Sequence, residues 1–195
     1  MKPAIESIMN ERGRLRTAHE MLQAALAVEE RDDSFVPFYL AVADYMEASM
    51  ARLHDQDLKM LQRLSEAMAP LDSESEEIID EVYLRLEGNQ EHLQKFLACR
   101  EALQKNGASA FKRYEDTSVA YIDFIHNRMG HHAPSTDLAR QHFTEDDWIE
   151  IADIDESYFS KERALYESVL QTRPSVVPLG QGAAEYIAQH RREKN

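Results

Sequence analysis

The sequence has little of what disulfide-stabilised, all-β and membrane-spanning proteins require. Its single cysteine, Cys99, excludes an intramolecular disulfide framework and the common cysteine-rich zinc sites. Six glycines and six prolines are few for the many turns of an all-β protein. No apolar run approaches the ~20 residues of a membrane span, and Glu6 and Glu11 stand where a signal peptide would be apolar. We therefore expect a cytoplasmic protein in a reducing compartment.

Positive charge is also scarce. The chain has 22 Lys and Arg against 36 Asp and Glu, which gives a formal net charge of -14. Such an acidic chain repels nucleic-acid phosphates and anionic membrane surfaces, so neither is an expected partner. Hydrophobic residues make up 43% and charged residues 30% of the 195 residues. This balance is typical of a globular protein with one sizeable core, with or without a tail.

The spacing of the apolar residues is helical. It predicts helices over 4–29, 37–68, 74–105 and from 109 to about 130. Polar loops separate these segments, and Asp72 or Ser73 is suited to cap the third helix. No strand-like alternation competes with the helical pattern. Long helices joined by short loops predict an all-α fold, an antiparallel up-down-up-down four-helix bundle.

The bundle does not account for the C-terminal part of the chain. Thr144 and Asp147 have the spacing of a capping box, and a further helix is expected over about 155–171. We divide the chain into a bundle, 1–152, and a C-terminal helical extension and tail, 153–195. The tail carries apolar residues that are expected to dock on the bundle or on a second subunit, as in a homodimer: Val176, Val177, Leu179, Tyr186 and Ile187.

Polar residues interrupt the apolar stripes at about one height. In an antiparallel bundle Arg12 falls near residues 52–57, 89–92 and 126–131. This predicted polar layer contains Glu11, Arg12, Arg52, His54, Gln56, Asp57, Asn89, Gln90, His92, His126, Asn127 and His131. Burying such groups without partners costs about 1–3 kcal/mol each, so the layer requires an explanation.

Two interpretations explain the polar layer. Imidazole and carboxylate groups from facing helices suit iron, manganese or zinc. The candidate metal ligands are Glu11, His54, Asp57, His92, His126 and His131. Alternatively the layer is a buried network in which Arg12 pairs with Asp57 or Glu11. Arginine is always protonated, and two arginines beside a divalent cation would repel it. The residues alone leave both interpretations open.

The order of these motifs resembles the hemerythrin-like family, also called the HHE cation-binding domain, over about residues 4–152. The segment IMNERGRLRTAHEML is similar to the opening helix of that family, and YMEASMARLHDQDLKMLQRL is similar to its HHxxED helix. The segment STDLARQHFTEDDWIEI is the best match. It fits the family's PLAxxxLTxxDW pattern at Leu138, Ala139, Phe143, Thr144, Asp147 and Trp148.

The resemblance implies a four-helix bundle with a di-iron centre and a role in oxygen, nitric oxide or iron handling. Most ligand positions of the family carry other residues here. They fall on Arg12, Arg52, Gln56, about Gln90 and Asn127, whereas Asp57 and His131 keep ligand types. His54 and His92 lie two residues out of register, a rotation of about 200° around a helix.

Two functions follow from this comparison. One is a hemerythrin-like protein that binds non-haem iron through the candidate ligands. The other is a metal-free descendant of that fold that acts as a regulatory or protein-interaction module. An enzyme ranks below both, because the sequence has no Gly-rich phosphate loop, GxSxG or HExxH motif and no obvious pair of nucleophile and base.

Overall fold

A computed structural model describes residues 2–129, residues 133–180 and Gly182, and this part of the chain has an all-α fold with no strand. The helices are α1 Lys2–Leu26, α2 Phe35–Ala67, α3 Ser73–Asn106, α4 Phe111–Phe124, α5 Ala133–His142, α6 Glu145–Ala152 and α7 Glu156–Thr172. The predicted fold class is therefore confirmed at the level of secondary structure. Within the described ranges, none of the helices combines the length and the apolar character needed to cross a membrane.

The local signals for helix ends are confirmed. The Asp72 side chain accepts a hydrogen bond from the Ser75 backbone N–H at 2.8 Å and caps α3. Gly107, with φ of 57°, ends the same helix in a conformation that suits glycine. At α6, the Asp147 N–H donates to Thr144 Oγ1 at 3.3 Å and the Thr144 N–H donates to Asp147 Oδ2 at 2.8 Å. These two bonds form the predicted capping box.

The fourth predicted helix differs from expectation. A 3₁₀ turn, Gly107–Ala110, precedes α4, and the α-helical pattern gives way to a π-helical turn at Ile125–Met129. A π turn accommodates about one extra residue, which rotates the following side chains by about 100°. Helix α5 lies in a stretch for which the sequence pattern predicted no helix. Pro134 lies in the first turn of α5, where proline needs no N–H partner.

The core is organised around α2, which packs against α1, α3, α5, α6 and α7. The main hydrophobic cluster combines residues of α1–α4 with Tyr166 and Val169 of α7. A second cluster brings Ala4 and Ile8 of α1 together with Met60 and Leu64 of α2 and with Trp148 of α6. Because the start of α1 meets the end of α2, these two helices run antiparallel.

The described part of the tail beyond α7 lies against the other helices. Val177 is fully buried in the main cluster, whereas Val176 and Leu179 are exposed. A Cβ atom on Gly180 would lie 2.7 Å from Glu20 Oε2 of α1, so this part of the tail passes close to α1. Docking on the bundle is thus confirmed for Val177. Tyr186 and Ile187 lie outside the described residues, and the domain boundary at 152/153 stays a prediction.

Candidate functional site

Two ion pairs connect α1 with α2 at the height of the predicted polar layer. Arg12 Nη2 lies 3.1 Å from Asp57 Oδ1, and Arg52 Nε lies 3.3 Å from Glu11 Oε2. The side chains of Arg52 and Glu11 are only 11% and 10% exposed. The interpretation that pairs Arg12 with Asp57 is confirmed. Glu11 pairs with a different arginine, so both acidic candidates for metal ligation on these helices are held by guanidinium groups.

Arg52 also holds the C-terminal helices against the bundle. Its guanidinium donates to the backbone carbonyls of Ala152 and Asp153, and the bond to Asp153 O is 2.7 Å long. These carbonyls stand at the C-terminus of α6, which is the negative end of that helix. The guanidinium carbon lies 4.6 Å from the centre of the Tyr158 ring of α7. One side chain of α2 therefore makes contact with α1, α6 and α7.

Replacing Arg52 with lysine is expected to lower the free energy of unfolding by about 2 kcal/mol. A compact ammonium cannot reach Glu11 and both carbonyls while stacking on Tyr158. Urea unfolding at pH 7 measures the loss. The control is Arg63→Lys on the same helix, where the guanidinium is partly exposed and bonded to the surface residues Glu66 and Glu150, and little change is expected. Equal losses in the two variants would contradict this role for Arg52.

A third ion pair lies deeper. Glu162 of α7 is 1% exposed and accepts hydrogen bonds from Arg14 Nε at 2.8 Å and from the Tyr45 hydroxyl at 2.9 Å. Glu162 was not among the site residues predicted from the sequence. A signal was present, because Phe159, Glu162, Tyr166 and Val169 follow helical spacing, and a glutamate on that stripe must be buried with a partner.

The six charged residues balance one another: Glu11, Arg12, Arg14, Arg52, Asp57 and Glu162. We call them the ion-pair network. Burial raises the pKa of the Glu11 carboxyl above its usual value, although Arg52 opposes the shift. Burial disfavours the charge of Arg14, but the hydrogen bond and charge of Glu162 outweigh it, so the pKa of Arg14 is raised. Burial and the Glu162 charge raise the pKa of Tyr45 well above its usual range.

A second group of buried polar residues adjoins this network on α3. Arg85 is 5% exposed and Asn89 is 1% exposed. The Tyr121 hydroxyl of α4 donates to Asn89 Oδ1 at 2.7 Å, and Arg85 Nη2 lies 3.5 Å from Ser135 Oγ of α5. Burial lowers the pKa of Arg85, and the charge of Asp57 opposes that shift. Asp57 therefore lies in the field of Arg85 as well as of Arg12.

The structure distributes the candidate histidines over separate environments. His54 Nε2 lies 2.9 Å from Gln90 Nε2, while the His92 ring stacks on Phe124 with 4.7 Å between ring centres. His126 is exposed on the π-helical turn, as is Asn127, so neither belongs to the interior layer predicted for them. The extra residue in that turn explains the difference, because a regular 3.6-residue period was assumed. His131 lies outside the described residues.

Among residues 2–129 and 133–180, no group of three or more His, Cys, Asp and Glu side chains is placed to hold a metal ion. Glu11 lies against Arg52, and Asp57 lies against Arg12. The assignment of Glu11, His54, Asp57, His92, His126 and His131 as one ligand set stays a prediction. The six side chains of the ion-pair network, together with Tyr45, do contact one another in pairs between α1, α2 and α7.

Fold and site together define an all-α protein with paired charges in its interior. Comparison with protein-family profiles, with curated proteins and with solved structures gave no match to this chain.

Proposed function

We propose that this protein is a hemerythrin-like antiparallel four-helix bundle in which ion pairs have replaced the metal ligands, and that it acts as a regulatory or protein-interaction module. The up-down topology is supported by the antiparallel pairing of α1 with α2 and by the contacts of α3 with both α2 and α4. The proposed kinship rests on the resemblance of the sequence segments quoted above, of which STDLARQHFTEDDWIEI is the best match.

The observation that carries this proposal is the pairing of Arg12 with Asp57. Asp57 is the one acidic residue on α2 that keeps a ligand type in the resemblance, and a guanidinium lies 3.1 Å from it. A divalent cation at this place would meet the charges of both Arg12 and Arg85. The described residues therefore do not fit a di-iron centre.

Metal analysis tests this proposal directly. The protein is purified without a histidine tag, incubated with ferrous iron under nitrogen, desalted and analysed for metals. We expect less than about a tenth of an equivalent of iron, manganese or zinc, because paired carboxylates are poor ligands. Stoichiometric iron with a charge-transfer band in the ultraviolet-visible spectrum would overturn the proposal. That result would support the iron-binding alternative, with its role in oxygen, nitric oxide or iron handling.

A double substitution tests the structural role of the same pair. Arg12→Leu and Asp57→Leu are each expected to destabilise the protein, because each removes one charge of a partly buried ion pair. The double variant is expected to recover most of the loss of the single variants, since apolar residues often replace a buried ion pair without loss. A residual loss of about 1 kcal/mol is expected because Arg85 no longer faces the charge of Asp57. Urea unfolding measures all four proteins. A loss of several kcal/mol in the double variant would contradict a purely structural pair.

A further inference from the structure

A small polar cavity lies between α1, α2 and α7. Its volume is about 10 Å³, and it adjoins all three ion pairs of the network. The lining residues are Glu11, Arg12, Leu15, Ser49, Leu53, Gln56, Tyr158 and Glu162. A volume of this size accommodates the centre of about one water molecule. The cavity is therefore a place where a single small guest can contact charged groups from two different helices.

Five of the eight lining residues carry a buried polar atom without a hydrogen-bond partner. These atoms are Glu11 Oε1, Arg12 Nε, Ser49 Oγ, Gln56 Nε2 and Glu162 Oε2. Gln56 and Glu162 are 3% and 1% exposed, so bulk solvent does not satisfy them. Each unsatisfied buried group costs about 1–3 kcal/mol. The presence of several unpartnered polar atoms around one cavity indicates that a bound molecule or ion, the guest, makes the missing hydrogen bonds.

The two carboxylates are oriented by the pairs already described. Glu11 uses Oε2 for Arg52, and Glu162 uses Oε1 for Arg14 and Tyr45. The remaining oxygen of each carboxylate, Glu11 Oε1 and Glu162 Oε2, is the unpartnered one. Both are acceptors, whereas Arg12 Nε and Gln56 Nε2 are donors. The guest must therefore donate hydrogen bonds to one set of groups and accept them from the other.

We propose that this cavity binds one water molecule that bridges Glu11 of α1 and Glu162 of α7. Water donates two hydrogen bonds and accepts two, which matches the two carboxylate oxygens and the N–H groups of Arg12 and Gln56. A metal ion cannot accept a hydrogen bond from these N–H groups. An anion cannot donate to the carboxylates and would be repelled by them. The charges of the network already balance, so a neutral guest leaves that balance intact.

The bound water links the Arg52–Glu11 pair to the Arg14–Glu162 pair and so connects α7 to the bundle through a continuous polar contact. Burial and the nearby Glu162 charge both raise the pKa of Glu11. This internal water site goes beyond the proposed module function, because it would be present whether or not the surface binds a partner.

A crystal structure at a resolution of about 1.5 Å or better tests the site in the unmodified protein. We expect one density peak at hydrogen-bond distance, about 2.6–3.2 Å, from both Glu11 Oε1 and Glu162 Oε2. The peak should refine as water and show no anomalous signal. An anomalous peak of a metal ion, or no density between the two carboxylates, would overturn the proposal. The first result would also count against the metal-free function, whereas the second would leave that function unaffected.

Cavity filling provides an independent test in solution. Ser49→Val removes the hydroxyl and places methyl groups in the cavity, and oxygen-17 relaxation dispersion counts long-lived internal waters. We expect one such water fewer in Ser49→Val than in the wild type. Ser65→Val, on the same helix outside the cavity, is the matched control and should leave the count unchanged. An unchanged count in folded Ser49→Val would overturn the site, and if that variant does not fold, the crystallographic result decides.

Discussion

Replacing Glu162 with glutamine is expected to lower the free energy of unfolding by about 3–5 kcal/mol. The substitution keeps the shape of the side chain and an oxygen that can accept from Tyr45. It removes the negative charge that lies 2.8 Å from Arg14, whose side chain is only 16% exposed. The guanidinium would then remain desolvated without a counter-charge. Urea unfolding at pH 7 measures the effect, and Glu167→Gln on the exposed side of α7 is the control, with little change expected.

A second substitution separates charge from packing at the same place. In Arg14→Met with Glu162→Gln no unpaired charge remains, and the glutamine still accepts from Tyr45. We expect the double variant to recover to within about 1 kcal/mol of the wild type. A loss of less than 1 kcal/mol in the single Glu162→Gln variant would show that Arg14 is solvated in solution. A double variant no more stable than the single one would attribute the loss to packing instead.

Acidification is expected to destabilise the protein through His19. Burial, with a smaller contribution from His126, lowers the pKa of His19 from 6.5 to about 4. The unfolded chain then binds a proton at a higher pH than the native chain. The contribution of neutral His19 to the free energy of unfolding is therefore fully present above pH 6.5. It is lost as the pH falls towards 4, by about 3 kcal/mol in total. About 1 kcal/mol of this loss falls between pH 7 and 5.5, where urea unfolding measures it.

A variant isolates this effect from the titration of the other acidic and basic groups. His19→Leu is expected to show a smaller decrease in stability on acidification than the wild type, by the amount attributed to His19. His142→Gln, at an exposed position of α5, should retain the decrease of the wild type. Parallel pH profiles for His19→Leu and the wild type would mean that the native imidazole is accessible to protons. That result would contradict the burial of the His19 side chain of α1 against the neighbouring helices.

The ion-pair network and His19 show how polar groups are accommodated between the described helices. The charged groups of the ion-pair network are buried in pairs, whereas burial favours the neutral form of the His19 imidazole. The proposed module function and the proposed water site both depend on the buried ion pairs. They fail in different ways, since iron binding would refute the former and missing density between Glu11 and Glu162 would refute only the latter.

Local signals in the sequence determined much of the helical framework. The apolar periodicity predicted α1, α2 and α3 to within about three residues at each end, and the helix caps at Asp72 and Thr144 follow from residue type and spacing. The Arg12–Asp57 pair was also accessible, because two antiparallel helices joined by a short loop fix which residues share a height. These features depend on residues close in sequence or on a single helix pair.

Only the tertiary structure decided how the interior charges are shared. Arg14 and Glu162 are separated by 148 positions, and nothing in the local sequence assigns α7 to the face of α1 and α2 on which they meet. The apolar spacing of α4 also did not indicate the π-helical turn Ile125–Met129, on which His126 is exposed. Helix periodicity records which side of a helix is buried. The choice of partner on that side depends on which helices pack against it, and this is settled by the whole fold.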